Sequence, residues 1–178
     1  MVYKNLENWK KRYLKIPEIS INISKENFYN EEFIKEYIVI AQKYNIEVQN
    51  IELEITESAT ISENIDIIKI MNNIKKSGFK IALDDFGTGT STLNMLQNMP
   101  IDTLKIDKTF IDKIDFENEK NNIVEYIIYM AKKLNLNTVA EGVENIKQVE
   151  YLKKIDCDFI QGYYFSKPVK AEDFEGWL

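Results

Sequence analysis

The chain has 178 residues, 44% of them hydrophobic, with 29 acidic against 23 basic side chains and a formal charge of −6. That length supports one domain rather than two, and an acidic chain whose only arginine is Arg12 is not built to grip a DNA or RNA polymer broadly along its backbone. A small phosphate ligand stays open, and handling one with an acidic protein calls for a cation to offset the repulsion, which points toward metal assistance.

The predicted elements alternate. A strand over Ile19–Ser24 precedes a helix over Phe33–Tyr44, and a strand over Ile51–Thr56 precedes a helix over Asn64–Ser77 that Gly78 can close. Then come the strand Lys80–Asp85, the helix Ser91–Asn98, the strand Thr103–Asp107 and the helix Lys120–Leu134. The strand Thr138–Glu141, the helix Ile146–Ile155 and the strand Phe159–Tyr164 complete six strand–helix units. Strand and helix repeated this way predict a parallel sheet in an α/β fold.

Parallel strands covered on both faces usually read as continuous apolar runs. Here Ile19, Ile21 and Ile23 share one face and Ser20, Asn22 and Ser24 the other; Ile51, Leu53 and Ile55 oppose Glu52, Glu54 and Thr56; Leu104 and Ile106 oppose Thr103, Lys105 and Asp107. If the polar faces converge on a barrel axis, charged groups from different strands meet near the carboxyl ends, where barrel active sites sit. The last two strands fit this parity less well, because Glu141 shares its face with Val139 and Val143.

The single cysteine, Cys157, flanked by Asp156 and Asp158, forms no intrachain disulfide and suits a reducing compartment. The start is charged and no apolar run reaches membrane-spanning length, so a soluble, cytoplasmic protein with no membrane segment is expected. There is no histidine, which removes histidine triads and histidine-ligated zinc and leaves carboxylates, lysine or a metal to carry any catalysis.

Asp84 and Asp85 close the third strand and run into Phe86-Gly87-Thr88-Gly89-Thr90-Ser91. Adjacent carboxylates at a strand end can hold or bridge cations, and the glycines permit a loop over phosphate; the same residues can also be a helix cap with solvated charge. Glu52, Glu54 and Glu57 place three acids close together on the second strand, where a divalent ion would satisfy them better than water on a half-buried face. Asn22 lies at matching depth on the first strand and either adds a neutral oxygen to such a site or bonds backbone. Lys105 faces the same way as the acids and either holds a hydroxide or phosphoryl oxygen or serves as an ion-pair partner. Glu141 and Gln161 close the fifth and sixth strands.

Those residues in that order resemble the EAL-domain family of cyclic di-GMP phosphodiesterases. The matching segments are Ser20–Ser24, Leu53-Glu54-Ile55-Thr56-Glu57-Ser58, Ala82-Leu83-Asp84-Asp85-Phe86-Gly87-Thr88-Gly89, Leu104-Lys105-Ile106-Asp107, Val139-Ala140-Glu141-Gly142-Val143-Glu144 and Gln161-Gly162, and they run through essentially the whole chain. The resemblance implies hydrolysis of cyclic di-GMP to linear pGpG at a two-metal site for Mg2+ or Mn2+, with Asn22, Glu54, Asp84, Asp85 and Glu141 as ligands or close partners. It further implies that Lys105, Asp85 and Glu141 serve catalysis, that Gln161 and Asp107 bind substrate or position water, and that Glu57 anchors the Asp85–Ser91 loop, which also forms dimer contacts.

The namesake Glu-Ala-Leu segment is not in this chain, and Thr90 and Asn145 stand where the family commonly has tyrosine and threonine. A complete (β/α)8 barrel of the TIM type takes about 250 residues. The six strands match the family's third to eighth, so the expectation is a partial barrel: residues 1–178 as one EAL-type domain incomplete at its N-terminus, with Met1–Leu14 as the helix leading into the first strand present. Open edges then call for a homo-oligomer, such as a dimer, or for a partner. The alternative function is a catalytically inactive cyclic di-GMP sensor or an interaction module.

Overall fold

A computed structural model describes residues 2–13, 16–60, 66–87, 89, 93–118 and 122–178. The strands are β1 (Ile19–Asn22), β2 (Ile51–Thr56), β3 (Lys80–Phe86), β4 (Thr103–Ile106), β5 (Asn137–Ala140) and β6 (Phe159–Ile160). The helices are α1 (Val2–Arg12), α2 (Lys25–Phe28), α3 (Glu31–Lys43), α4 (Ile67–Lys76), α5 (Leu93–Asn98), α6 (Lys108–Ile111), α7 (Ile123–Lys133), α8 (Ile146–Lys154) and α9 (Ala171–Phe174). All the strand pairings are parallel and the order is β1-β2-β3-β4-β5-β6. Met1, Leu14, Asn64, Ser91 and Lys120, and with them those ends of the expected helices, lie outside the described residues, as do Thr88 and Thr90.

The helices form where apolar residues recur at helical spacing and a cap stops the chain from fraying. In α4, Ile67, Met71 and Ile74 are buried, and Asp66 accepts the Lys69 N–H at 3.0 Å as its cap. In α8, Asn145 and Gln148 form a reciprocal capping box, so the asparagine at this position does a capping threonine's work. Three short helices, α2, α6 and α9, lie outside the expected elements. Ser24 and Asp107, read as strand ends, instead cap α2 and α6 by accepting the Asn27 and Thr109 N–H groups.

Alternation along the strands positions the site. Ile51, Leu53 and Ile55 are fully buried toward the helices, each contributing about 2 kcal/mol through its burial. Glu52 and Glu54, on the opposite face, are also buried. Side chains from every strand, among them Ser20, Glu52, Lys80, Thr103, Val139 and Phe159, line one cavity of about 290 Å³, which marks that face as concave. The arc is a partial α/β barrel: a half-barrel curled around its polar face, with β1 and β6 as edges. Val139 lies on that inner face, so β5 keeps the common parity after all, with an apolar residue below Glu141.

The last strand is shorter than Phe159–Tyr164 because Gly162 passes directly over Val143, where a Cβ would meet the Val143 carbonyl oxygen at 2.1 Å. The chain turns there, and its end crosses to α1. The Trp9 indole N–H donates to Glu175 at 3.1 Å, Arg12 pairs with Glu175 at 2.6 Å, and the Trp9 and Phe174 rings lie 5.5 Å apart. No helix among the described residues is long and apolar enough to cross a membrane.

Candidate metal and catalytic site

Lys105 sits in the middle of β4, only 4% exposed, and its ammonium reaches carboxylates from three other parts of the sheet. Nζ lies 2.9 Å from Glu54 Oε1 on β2, 3.0 Å from Asp84 Oδ1 on β3 and 2.9 Å from Glu141 Oε1 just after β5. The three contacts use all three ammonium donors. Burial alone would lower the Lys105 pKa, but the hydrogen bonds to Glu54 and Glu141 outweigh it and hold the group above its ordinary value, charged. Three carboxylates against one ammonium leave the cluster with an excess of negative charge.

Asp84 and Asp85 converge because the strand is irregular there. Adjacent residues in a regular strand point to opposite faces, but the β3–β4 register shifts between Leu83 and Phe86, and Asp85 takes a positive φ of 56°. Aspartate tolerates that left-handed region better than most residues, and a bulge re-aims side chains at a site. The result is that Asp84, Asp85 and Glu141 each offer a carboxylate oxygen within 4.8 Å of the others. Burial, then the charges of Asp84 and Asp107, raise the Asp85 carboxyl above its ordinary value; burial likewise raises Glu141, ahead of the opposing pull of Lys105. Hard oxygen donors at that spacing, with an excess of negative charge, suit a hard divalent cation.

A family model for the EAL domain matches residues 1–168. The chain belongs to the EAL-domain family. It is 39% identical over 160 residues to the signaling protein YkoW of Bacillus subtilis, covering 90% of this chain and 20% of that one. It is 37% identical over 162 residues to the probable cyclic di-GMP phosphodiesterase PdeG of Escherichia coli, covering 89% of this chain and 32% of the relative. The chain thus spans a third or less of these curated relatives. Among solved structures, the PaMucR phosphodiesterase in complex with c-di-GMP superposes with a TM-score of 0.88 at 30% identity, covering 97% of this chain and 70% of that one.

In this EAL domain Glu57 lies on a 3-10 turn directly after β2 and is 2% exposed. Its Oε2 accepts the N–H groups of Gly87 at 2.9 Å and Gly89 at 3.2 Å, tying the loop after Asp85 to the end of β2. Both glycines suit this close approach. Gly87 has a φ of 96°, and a Cβ on Gly89 would stand 2.8 Å from Glu57 Oε1.

The other expected residues spread around this centre. Asn22 pairs in register with Glu54, on the exposed edge strand. Asp107 caps α6, and those hydrogen bonds, against the effect of burial, hold its carboxyl below the ordinary range while its charge reaches Asp85. Gln161 is anchored by backbone, its N–H donating to Ala140 at 2.8 Å and its carbonyl accepting from Val143 at 3.1 Å, and its side chain lines cavities rather than bonding the lysine cluster. Glu52 separates from the other acids: it accepts Ser20 Oγ at 3.0 Å and Thr103 Oγ1 at 2.6 Å on the inner face. Its neutral partners make it a strand-to-strand tie, not a member of the cation cluster.

Sequence reasoning missed Lys108. A Cβ on Gly142 would fall 2.5 Å from Lys108 Cγ, and the ammonium pairs with Glu144. The lysine stem therefore lies over the turn that follows Glu141. The signal was the glycine directly after the acid.

Proposed function

We propose that this chain is the catalytic part of a metal-dependent phosphodiesterase that opens cyclic di-GMP to the linear dinucleotide pGpG, and that residues 1–178 form one EAL-type domain within it. The observation that carries this reading is the convergence of Glu54, Asp84, Asp85 and Glu141 around Lys105, in a chain that shares its family with proteins named as cyclic di-GMP phosphodiesterases. Asp84, Asp85 and Glu141 would hold Mg2+ or Mn2+, with Glu54 and Asn22 beside them. A bound divalent cation supplies Lewis acidity toward the phosphoryl oxygens and the attacking water.

The chain's own residues then divide the work. Lys105 and Gln161 hold water and a phosphoryl oxygen near the phosphorus, where an ammonium offsets charge that grows as the water oxygen bonds and one P–O ester bond breaks. Glu57 keeps the loop after Asp85 in place so that the carboxylates do not drift. Asp107 sets the start of α6 and adds negative potential next to Asp85. Self-association belongs to the same reading: Ile123, Tyr126 and Tyr129 form an exposed apolar stripe on α7, and light scattering measures whether it is covered by a second copy.

Product analysis tests the reading. Purified chain incubated with cyclic di-GMP and Mn2+ is expected to release linear dinucleotide, resolved by chromatography, with the product lost on adding chelator and reduced at least about 100-fold in Asp84→Asn. Ligand binding without product would instead make the chain a sensor.

A further inference from the structure

We propose that Lys105 is a resident counter-cation: its ammonium occupies the carboxylate cluster in the metal-free chain, and a divalent ion enters only by taking Asp84 and Glu141 from it. The proposal rests on the metal-site reading above and adds to it a competition between two cations, one built into the fold.

Nζ touches one oxygen each of Glu54, Asp84 and Glu141 at 2.9–3.0 Å, so no ammonium donor remains for another partner. Two of those three residues, Asp84 and Glu141, are also two of the three whose oxygens come within 4.8 Å of one another. A divalent ion needs oxygens at roughly 2.0–2.6 Å, which would bring it within a few ångströms of Nζ, where like charges in a buried site repel strongly. A divalent ion that draws on the oxygens Nζ holds therefore competes with the ammonium for them. Other lysines are committed elsewhere: Lys80 pairs with Glu18, and Lys108 with Asp112 and Glu144.

The arrangement gives a cluster of buried acids a counter-charge of its own. The acids come from strands far apart in sequence, and the lysine from the strand between them supplies the attraction that holds their side chains together. It also sets a cost on metal entry, since the same attraction must be given up. Once displaced from Asp84 and Glu141, the ammonium is free to face a substrate oxygen, so binding of the metal and readiness of the lysine become one event.

The test compares the chain with Lys105→Met, both stripped of metal, by titrating Mn2+ in a calorimeter at constant pH and by recording Tm with chelator and with saturating Mn2+. The variant is expected to bind Mn2+ at least about tenfold more tightly. With chelator its Tm is expected to fall by roughly 10 °C, and Mn2+ is expected to restore most of that loss. Equal or weaker Mn2+ binding by a folded Lys105→Met chain overturns the competition and leaves the metal site standing. Failure of both proteins to bind Mn2+ overturns the metal-site reading and the competition together.

Because three bare carboxylates can cost the variant its fold, a second measurement uses the unaltered chain. The 15N resonance of the Lys105 ammonium is followed while Mg2+ is added. A saturable shift that tracks Mg2+ binding is expected, and a resonance that stays fixed while Mg2+ binds overturns the proposal.

Discussion

The Glu57 carboxylate accepts the backbone N–H of Gly89 at 3.2 Å, and a methyl group on Gly89 would meet the same carboxylate at 2.8 Å. The contact thus depends on what Gly89 lacks as much as on what Glu57 supplies. Gly89→Ala is expected to push the loop off Glu57 and lower product formation at least about tenfold, since small misplacements near a reacting centre cost that much. Glu57→Gln keeps the shape but weakens both charge-assisted bonds and is expected to fall between the two. Steady-state rates at saturating Mn2+ check the order; a Gly89→Ala chain with full activity contradicts it.

The pH dependence of stability without metal has a worked sign. Burial raises the Asp85 and Glu141 carboxyls above their ordinary values. Between the ordinary and the raised value the folded chain holds these protons more tightly than the unfolded chain, so their contribution to stability falls as pH rises through that window. With chelator present, Tm is expected to drop as pH rises above the ordinary carboxylate range more steeply in the natural chain than in Glu141→Gln. Excess Mg2+ favours the ionised carboxylates and is expected to flatten or reverse that difference, which thermal melts across pH will show.

Glu52 gives a control for the site. It bonds Ser20 and Thr103 and, among the described residues, pairs with no lysine or arginine. Glu52→Gln can keep both contacts, its amide oxygen accepting from one hydroxyl and its NH2 donating to the other, so product formation is expected to stay within about twofold while Glu52→Ala loses about 1–3 kcal/mol of stability. Urea unfolding of the two variants, set beside their rates, separates a strand tie from a metal ligand.

The contact between the two ends of the chain carries its own prediction. Trp9 is 6% exposed, stacks near Phe174 and donates to Glu175. Trp9→Ala is expected to cost about 3 kcal/mol, read by urea unfolding, because it opens a cavity and leaves the Glu175 contact unmade. Arg12→Ala, removing an exposed pair only, is expected to cost less than about 1 kcal/mol.

Much of this was legible in the residues themselves. The alternation of Ile51, Leu53 and Ile55 with Glu52 and Glu54 depends only on the two-residue period of a strand, and the sheet keeps it. The family followed from the order of motifs such as Leu53-Glu54-Ile55-Thr56-Glu57 and Leu104-Lys105-Ile106-Asp107. Cys157 lies between Asp156 and Asp158, and its thiol is pushed up, with burial acting first and Asp158 adding less. Strand ends were less legible, since Ser24 and Asp107 look like strand residues until the next turn shows them capping helices.

The sequence by itself determined where the six strands and the longer helices lie, which face of most strands is polar, and that acids and one lysine recur on those faces. Those properties follow from periods of 2 and 3.6 residues and from side-chain chemistry, both local. Only the tertiary structure decided which acids meet. Glu54, Asp84 and Glu141 come together on Lys105 because the sheet curls, Asp85 joins them because the chain bulges between Leu83 and Phe86, and Glu52 is left out because it sits lower on the same face, against Ser20 and Thr103. Curl, bulge and depth arise from packing between strands, and no single stretch of chain encodes them.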